Sequence, residues 1–182
     1  MSMLIDEGIV EEYPDPIDPI VIDDSDCNEI NVNTREITVH DNNKILGVVS
    51  DENVKKVNFR CDSILSSILD IRNCNIYINY QNANGELNSY LVNNAATVSG
   101  YTYFSWILSR HVTAVPGIVK YIVCVKKSDG TGVTNEWNTI PAEGIVLENN
   151  IEPVEEIEEQ NIDVIEQILY RISKLEALHA NN

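Results

Sequence analysis

The chain has 182 residues, enough for one ordinary domain with additional arms. It carries 29 acidic side chains against 12 Lys and Arg, a formal net charge of −17. That balance argues against nucleic acid and an anionic membrane surface as partners, because affinity for either needs Lys and Arg.

The charge is unevenly spread. Residues 1–29 hold ten acids and residues 143–166 hold nine, and neither stretch has a Lys or Arg. Residues 30–142 hold nine acids and ten bases, so the middle is nearly neutral between two acidic flanks. Such flanks stay solvated or dock onto a basic partner.

Residues 1–29 are expected to form an extended arm. The segment EEYPDPIDPIVIDD repeats Asp-Pro-Ile. Each proline fixes its own φ and biases the residue before it to extended geometry, which excludes a helix and disfavours an interior strand. The arm is nevertheless dotted with Tyr13, Ile17, Ile20 and Ile22. An extended, acidic peptide with that apolar content suits a surface: its own domain, a neighbouring subunit or another protein. The N-terminus MSMLIDEGIV lacks a basic n-region and has acids within its apolar part, so a cleavable secretory signal is not expected. No apolar run approaches the ~18 residues of a membrane helix.

Residues 30–148 read as β-structure. Val57, Phe59 and Cys61 alternate with Lys56, Asn58 and Arg60, the period-two pattern of a half-buried strand. NIYINY (75–80) and ELNSYLV (86–92) flank Asn84-Gly85, a hairpin dipeptide. Tyr101–Ser109 and Gly117–Lys127 are expected as long strands joined as a hairpin, with Arg110–Pro116 as the link. SDGTGV reads as a hairpin tip, and NEWNTI and GIVL follow as strands. About eight short strands at this spacing indicate an antiparallel, immunoglobulin-like β-sandwich. Its expected core includes Phe59, Phe104, Trp106, Val123 and Trp137. SILSSILD (63–70) is left open between a short helix and an irregular crossover.

Residues 149–182 change period. Ile165, Ile168, Ile172 and Leu175 follow 3-4-3 spacing, and Ile162 and Leu169 widen the stripe. Glu155, Glu156, Glu158 and Glu159 precede it, while Arg171, Lys174 and His179 lie towards its end. Both placements suit a helix dipole. Ile at both a and d positions tilts a parallel coiled coil towards trimers or tetramers. A single helix folded back on the sandwich is the other reading of the same stripe.

Chemistry finds little purchase. Ser105, Ser109 and His111 invite comparison with a nucleophile and its base. No acid lies in that run and no G-x-S-x-G is present, so no catalytic residue is expected. His40, His111 and His179 are isolated, which disfavours zinc. Asp24-x-Asp26-x-Asn28 begins like a calcium loop, yet Glu29 and Arg35 stand where Gly and Glu are required. No metal and no cofactor is expected. Cys27, Cys61, Cys74 and Cys124 are expected as reduced thiols. The tyrosines with Trp106 and Trp137 read as packing, with a sugar-binding platform as the competing use.

Four segments also carry a resemblance: KILGVVSDENVKKVNFRC (44–61), INYQNANGELNSYLV (78–92), FSWILSRHVTAVPGIVKYIVCVKK (104–127) and NEWNTIPAEGIVLE (135–148). In this order they resemble a recurrent domain of tailed phages and prophages of low-GC Gram-positive bacteria. It is similar to the N-terminal sandwich domain of baseplate upper proteins and to small structural proteins of clostridial prophages. The resemblance spans roughly residues 30–148 and brings no catalytic residues. It implies a structural protein on the virion surface, assembled in the host cytoplasm and commonly trimeric through a helix after the sandwich. Baseplate upper proteins usually continue into a distal carrier, whereas this chain stops at Asn182 and adds an acidic arm in front. Those departures favour a homotrimeric capsid decoration or head fibre docked on a capsid protein. A tail or baseplate component and a host-wall carbohydrate-binding module are the alternatives.

Overall fold

A computed structural model of the protein describes residues 24–149 and 162–180. The chain divides into two units, Met1–Glu148 and Asn149–Asn182. Tyr13, Ile17, Ile20 and Ile22, the expected docking residues of the arm, lie outside the described residues, as does the acidic stretch around Glu155–Glu159.

In the first unit a 3₁₀ turn at Asp24–Asp26 leads into β1 (Asn28–Ile30) and β2 (Ile37–Thr38). A second turn, Asp41–Asn43, precedes β3 (Ile45–Val48), and β4 (Lys56–Asp62) follows. Next come β5 (Ile64–Ser66), β6 (Leu69–Asp70), β7 (Asn75–Gln81), β8 (Leu87–Leu91), β9 (Ala95–Val98) and β10 (Tyr101–Ile107). The unit ends with β11 (Gly117–Asp129), β12 (Gly132–Asn138) and β13 (Ala142–Leu147). The second unit contains the helix α1 (Ile162–Ala180).

Two main sheets share one core. The first runs β2-β1-β4-β10-β9; the second runs β3-β13-β11-β7-β8, with β12 also paired to β11. Alternation decides which side chains enter. Val57, Phe59 and Cys61 of β4, and Phe104 and Trp106 of β10, are buried from the first sheet. Ile76, Ile78 and Tyr80 of β7, and Val119, Tyr121, Val123 and Val125 of β11, are buried from the second. Aromatic rings tie the layers together. Phe59 stacks on Phe104 within its sheet at 5.2 Å between centroids, and meets Tyr121 edge-on at 6.2 Å. Trp137 is buried as well. Each fully buried large side chain contributes roughly 1.5–3 kcal/mol of transfer free energy, so these positions dominate the stability of the unit.

Turn chemistry follows the sequence at both hairpin tips. Gly85 has φ +82° and donates its amide to the Asn82 carbonyl at 2.9 Å, closing the β7–β8 loop. Asp129 accepts from the Thr131 amide at 2.7 Å at the β11–β12 tip.

Four expectations need correction. The sandwich is not wholly antiparallel, because β1 pairs with β4 and β3 with β13 in parallel. Residues 28 and 29 are strand rather than arm: Asn28 aligns with Phe59 and Glu29 with Arg60. SILSSILD is a two-strand ladder, β5 with β6, in which Leu65 and Leu69 turn inward while Ile64 and Ile68 face solvent. Apolar pairs at 64–65 and 68–69 suit a helix as well as this arrangement, which is why spacing left the segment open.

The fourth correction concerns β10 and β11, which are not a hairpin. β10 pairs with β4 and β9, whereas β11 pairs with β7, β12 and β13. The link between them crosses from one sheet to the other. Its Leu108 and Val112 side chains are buried, and Thr113 donates to the Asp51 carbonyl at 2.6 Å. The link therefore plugs one end of the core instead of turning back along its own sheet.

Candidate functional site

The Ser-His run becomes a hydrogen-bonded chain across that link. Tyr80, on the inner face of β7, places its hydroxyl between two residues of the link. It lies 3.1 Å from His111 Nδ1 and 3.5 Å from Ser109 Oγ. On the other side of the imidazole, His111 Nε2 is 3.2 Å from Glu86 Oε2. Asn82 Nδ2 donates to the His111 carbonyl at 3.0 Å. The Glu86 carboxyl is held below the usual carboxylate range, first by its hydrogen bond from Asn84 and then by the one from His111. Tyr80 also packs against Trp106 at 5.3 Å and edge-on to His111 at 5.7 Å.

This chain has an acid, an imidazole and a serine, but in the wrong order for acyl chemistry. Ser109 reaches Tyr80, and the hydroxyl of Tyr80 occupies the imidazole nitrogen a nucleophile would use. Ser105 points elsewhere and donates to Asn58 Oδ1 at 2.7 Å. The arrangement fastens the 108–116 link to the β7–β8 hairpin. Sequence reading overlooked Glu86 and Tyr80 here, since they lie 25 and 31 residues before His111. The buried polar face of Tyr80 was the available signal, because a buried phenol seeks a partner.

Asn28, which ends the Asp24-x-Asp26-x-Asn28 pattern, is a buried hydrogen-bonding hub. Asn28 is fully buried. Its Oδ1 accepts from the His40 amide and from Asn43 Nδ2, both at 2.9 Å, and its Nδ2 donates to the Tyr121 hydroxyl at 3.2 Å. Asn43 Nδ2 also donates to the Asp26 carbonyl at 2.7 Å. Asn28 has spent its polar atoms on the fold. Among the described residues no group of three or more His, Cys, Asp and Glu side chains is placed to hold a metal.

The aromatic groups divide by burial. Trp106 and Tyr121 are core. Trp137 is 4% exposed, and the Arg35 guanidinium covers its ring at 4.6 Å. Arg60 covers Tyr101 at 4.6 Å beside an open groove of about 340 Å³ lined by Glu29, Asn31, Asp62 and others. Arg60 also pairs with Glu29 at 2.9 Å. Of the rings that read as packing, with a sugar platform as the competing use, Trp106 and Tyr121 are core and Trp137 and Tyr101 lie under cations. None of the four cysteines is in a disulfide; Cys27, Cys61 and Cys124 are buried, and Cys74 is half-buried.

The helix presents a different kind of surface. Ile168, Leu169, Ile172 and Leu175 are exposed, and Leu178 and Tyr170 with them. Ile162 and Ile165 belong to the same helix, and their side chains lie outside the described residues. Lys174 Nζ caps Tyr170 at 4.7 Å on another part of the surface. No described helix is long and apolar enough to cross a membrane. Comparison with known protein families and with curated proteins finds no match to this chain.

Proposed function

We propose that this chain is a structural protein of a tailed-phage particle, without enzymatic activity, that assembles as a homotrimer on the capsid surface. Its β-unit is an immunoglobulin-like sandwich in this reading, its helix a coiled-coil stalk, and its acidic arm the docking element, through Tyr13, Ile17, Ile20 and Ile22. The observation that carries the proposal is the row Ile168, Ile172 and Leu175, 38%, 46% and 58% exposed at heptad spacing. An apolar stripe left in water on a helix is stabilised by burial against copies of itself, and isoleucine at both seam positions favours three strands over two. The four-segment resemblance supports the virion setting. Three arms on one trimer would also bind together, so weak individual contacts suffice for attachment.

Sedimentation equilibrium tests the assembly. The full chain is expected at three times its formula mass, and Ile168→Asp with Ile172→Asp at the monomer mass. A monomeric parent chain overturns the trimer. Counting copies on an intact particle tests the location: a capsid shell presents many more equivalent positions than a tail tip or baseplate.

A further inference from the structure

The apolar stripe of α1 runs into a polar residue that the seam alone does not explain. With Ile165 and Ile172 at a and Ile168 and Leu175 at d, the next a position is His179, seven residues after Ile172. His179 lies in the last turn of the described helix. Its side chain is exposed, as are those of Ile168, Ile172 and Leu175. Tyr170 and Lys174, at f and c, engage each other at 4.7 Å off the seam.

Only a parallel alignment gathers the histidines of several copies at one level, and the flanking charges select it. Arg171 is at g and Glu176 at e, five residues on. Between parallel helices a g side chain meets the e side chain five residues further along its neighbour, so each Arg171 meets a Glu176 of opposite charge. The other e and g positions of the helix, Ile162, Leu169, Val164 and Leu178, are uncharged. Antiparallel helices match g with g and e with e, which gives neither charge an opposite partner.

We propose that three copies of this chain bring their His179 imidazoles together in one layer of the coiled coil, and that this layer binds a zinc-like divalent transition-metal ion. The inference rests on the homotrimer proposed above. A single chain hides the site, because it supplies one ligand and has no second histidine at zinc spacing beside it. Three-fold symmetry supplies the other two. Side chains at a converge on the axis of a three-stranded coil, so the three imidazoles face a common point. Three neutral imidazoles are a sufficient protein donor set for Zn²⁺, with the fourth tetrahedral position left to water or an anion. Imidazole nitrogen suits zinc, copper and nickel, whereas calcium and magnesium take oxygen. Leu175, at d in the preceding layer, closes the seam with apolar groups and limits solvent access from that side.

Such a site would fasten the end of the helix that frays most readily. An ion held by three chains together has no equivalent site on one chain alone. Its binding therefore shifts assembly towards the trimer by mass action.

Zinc titration of the full chain, stripped with EDTA and followed by calorimetry, tests the site. One Zn²⁺ per three chains is expected. His179→Ala should abolish binding, and alanine keeps the helix because it is the best helix former. The Ile168→Asp, Ile172→Asp chain retains His179 and should also lose binding, since its copies no longer meet. Stoichiometric zinc binding that survives either change overturns the proposal, because the ligands then lie elsewhere or within one chain. Sedimentation equilibrium of the same samples separates the two readings. A trimer that takes up no zinc overturns the metal site alone and leaves His179 as a polar residue that sets register. A monomeric parent chain overturns the assembly and the site with it.

Discussion

Leu46 fills the space that a side chain at position 144 would need. A Cβ placed on Gly144 would lie 2.5 Å from Leu46 Cγ and 2.7 Å from its Cδ1. Leu46 is fully buried. The glycine is therefore a packing requirement between β3 and β13, without any demand on φ. Gly144→Ala is expected to destabilise the protein by about 1–3 kcal/mol, the usual range for overpacking a filled core. A urea midpoint equal to that of the parent chain would contradict this.

The Asn28 hub predicts a penalty out of proportion to its size. Asn28→Ala removes an acceptor from the His40 amide and a partner from the Tyr121 hydroxyl. Leaving buried polar groups unpaired costs about 1–3 kcal/mol. Exposed Asn42→Ala serves as the comparison and should stay within about 0.5 kcal/mol of the parent. Equal denaturation midpoints for the two variants would remove Asn28 from its central role.

Alkaline pH should loosen the sandwich before acid does anything comparable in its core. Burial pushes the Tyr121 hydroxyl up to about 12 from 10.0, partly opposed by its hydrogen bond with Asn28. Burial, and secondly the Asp62 charge, push the Cys61 thiol up to about 12 from 9.0. The unfolded chain gives up these protons near pH 9 and 10, while the folded chain keeps them to about 12. The unfolded state then binds fewer protons, so stability falls as pH rises through this window, by up to about 1.4 kcal/mol per pH unit for each group. Unfolding free energies at pH 8, 9, 10 and 11 check the slope, and Tyr121→Phe should make it shallower. A flat profile would show that neither proton is retained on folding.

Tyr80→Phe separates the structural reading of the Ser109–Tyr80–His111–Glu86 chain from any chemical one. Loss of the hydroxyl should cost about 0.5–1.5 kcal/mol, as for one hydrogen bond. It should also speed amide exchange in residues 109–113 with little change in β10. Unaltered exchange in that link would show that the contact does not fasten it.

Period-two patterning made the inward residues legible. Val57, Phe59 and Cys61, and Phe104 and Trp106, are buried where alternation put them. Asn84-Gly85 was legible as a hairpin because positive φ at Gly85 is a local demand. Alternation names a strand's face but not its neighbour. Hence the parallel pairings of β1 and β3, and the separation of β10 from β11 into different sheets, were beyond it. These depend on side chains nearly a hundred residues apart, such as Asn28 and Tyr121. Asn28 itself sits in an acidic run that reads as solvated, and only its three partners explain its burial. The partners of His111 were hidden for the same reason: Glu86 shares no local motif with it.

The strand order has a consequence for how the domain comes into being. β13, the last strand of the sandwich, lies between β3 and β11, and β1 lies between β2 and β4. The first and last strands are both interior. A ribosome-bound chain therefore cannot complete the second sheet until residues 142–147 have emerged, and until then β3 lacks the strand that, among the described residues, joins it to that sheet. Closing contacts of such long sequence separation is slow, and open strand edges invite association with other chains in the meantime. Folding of this domain is thus expected to wait for residues 142–147, with the late arrival of one short strand as its gating event.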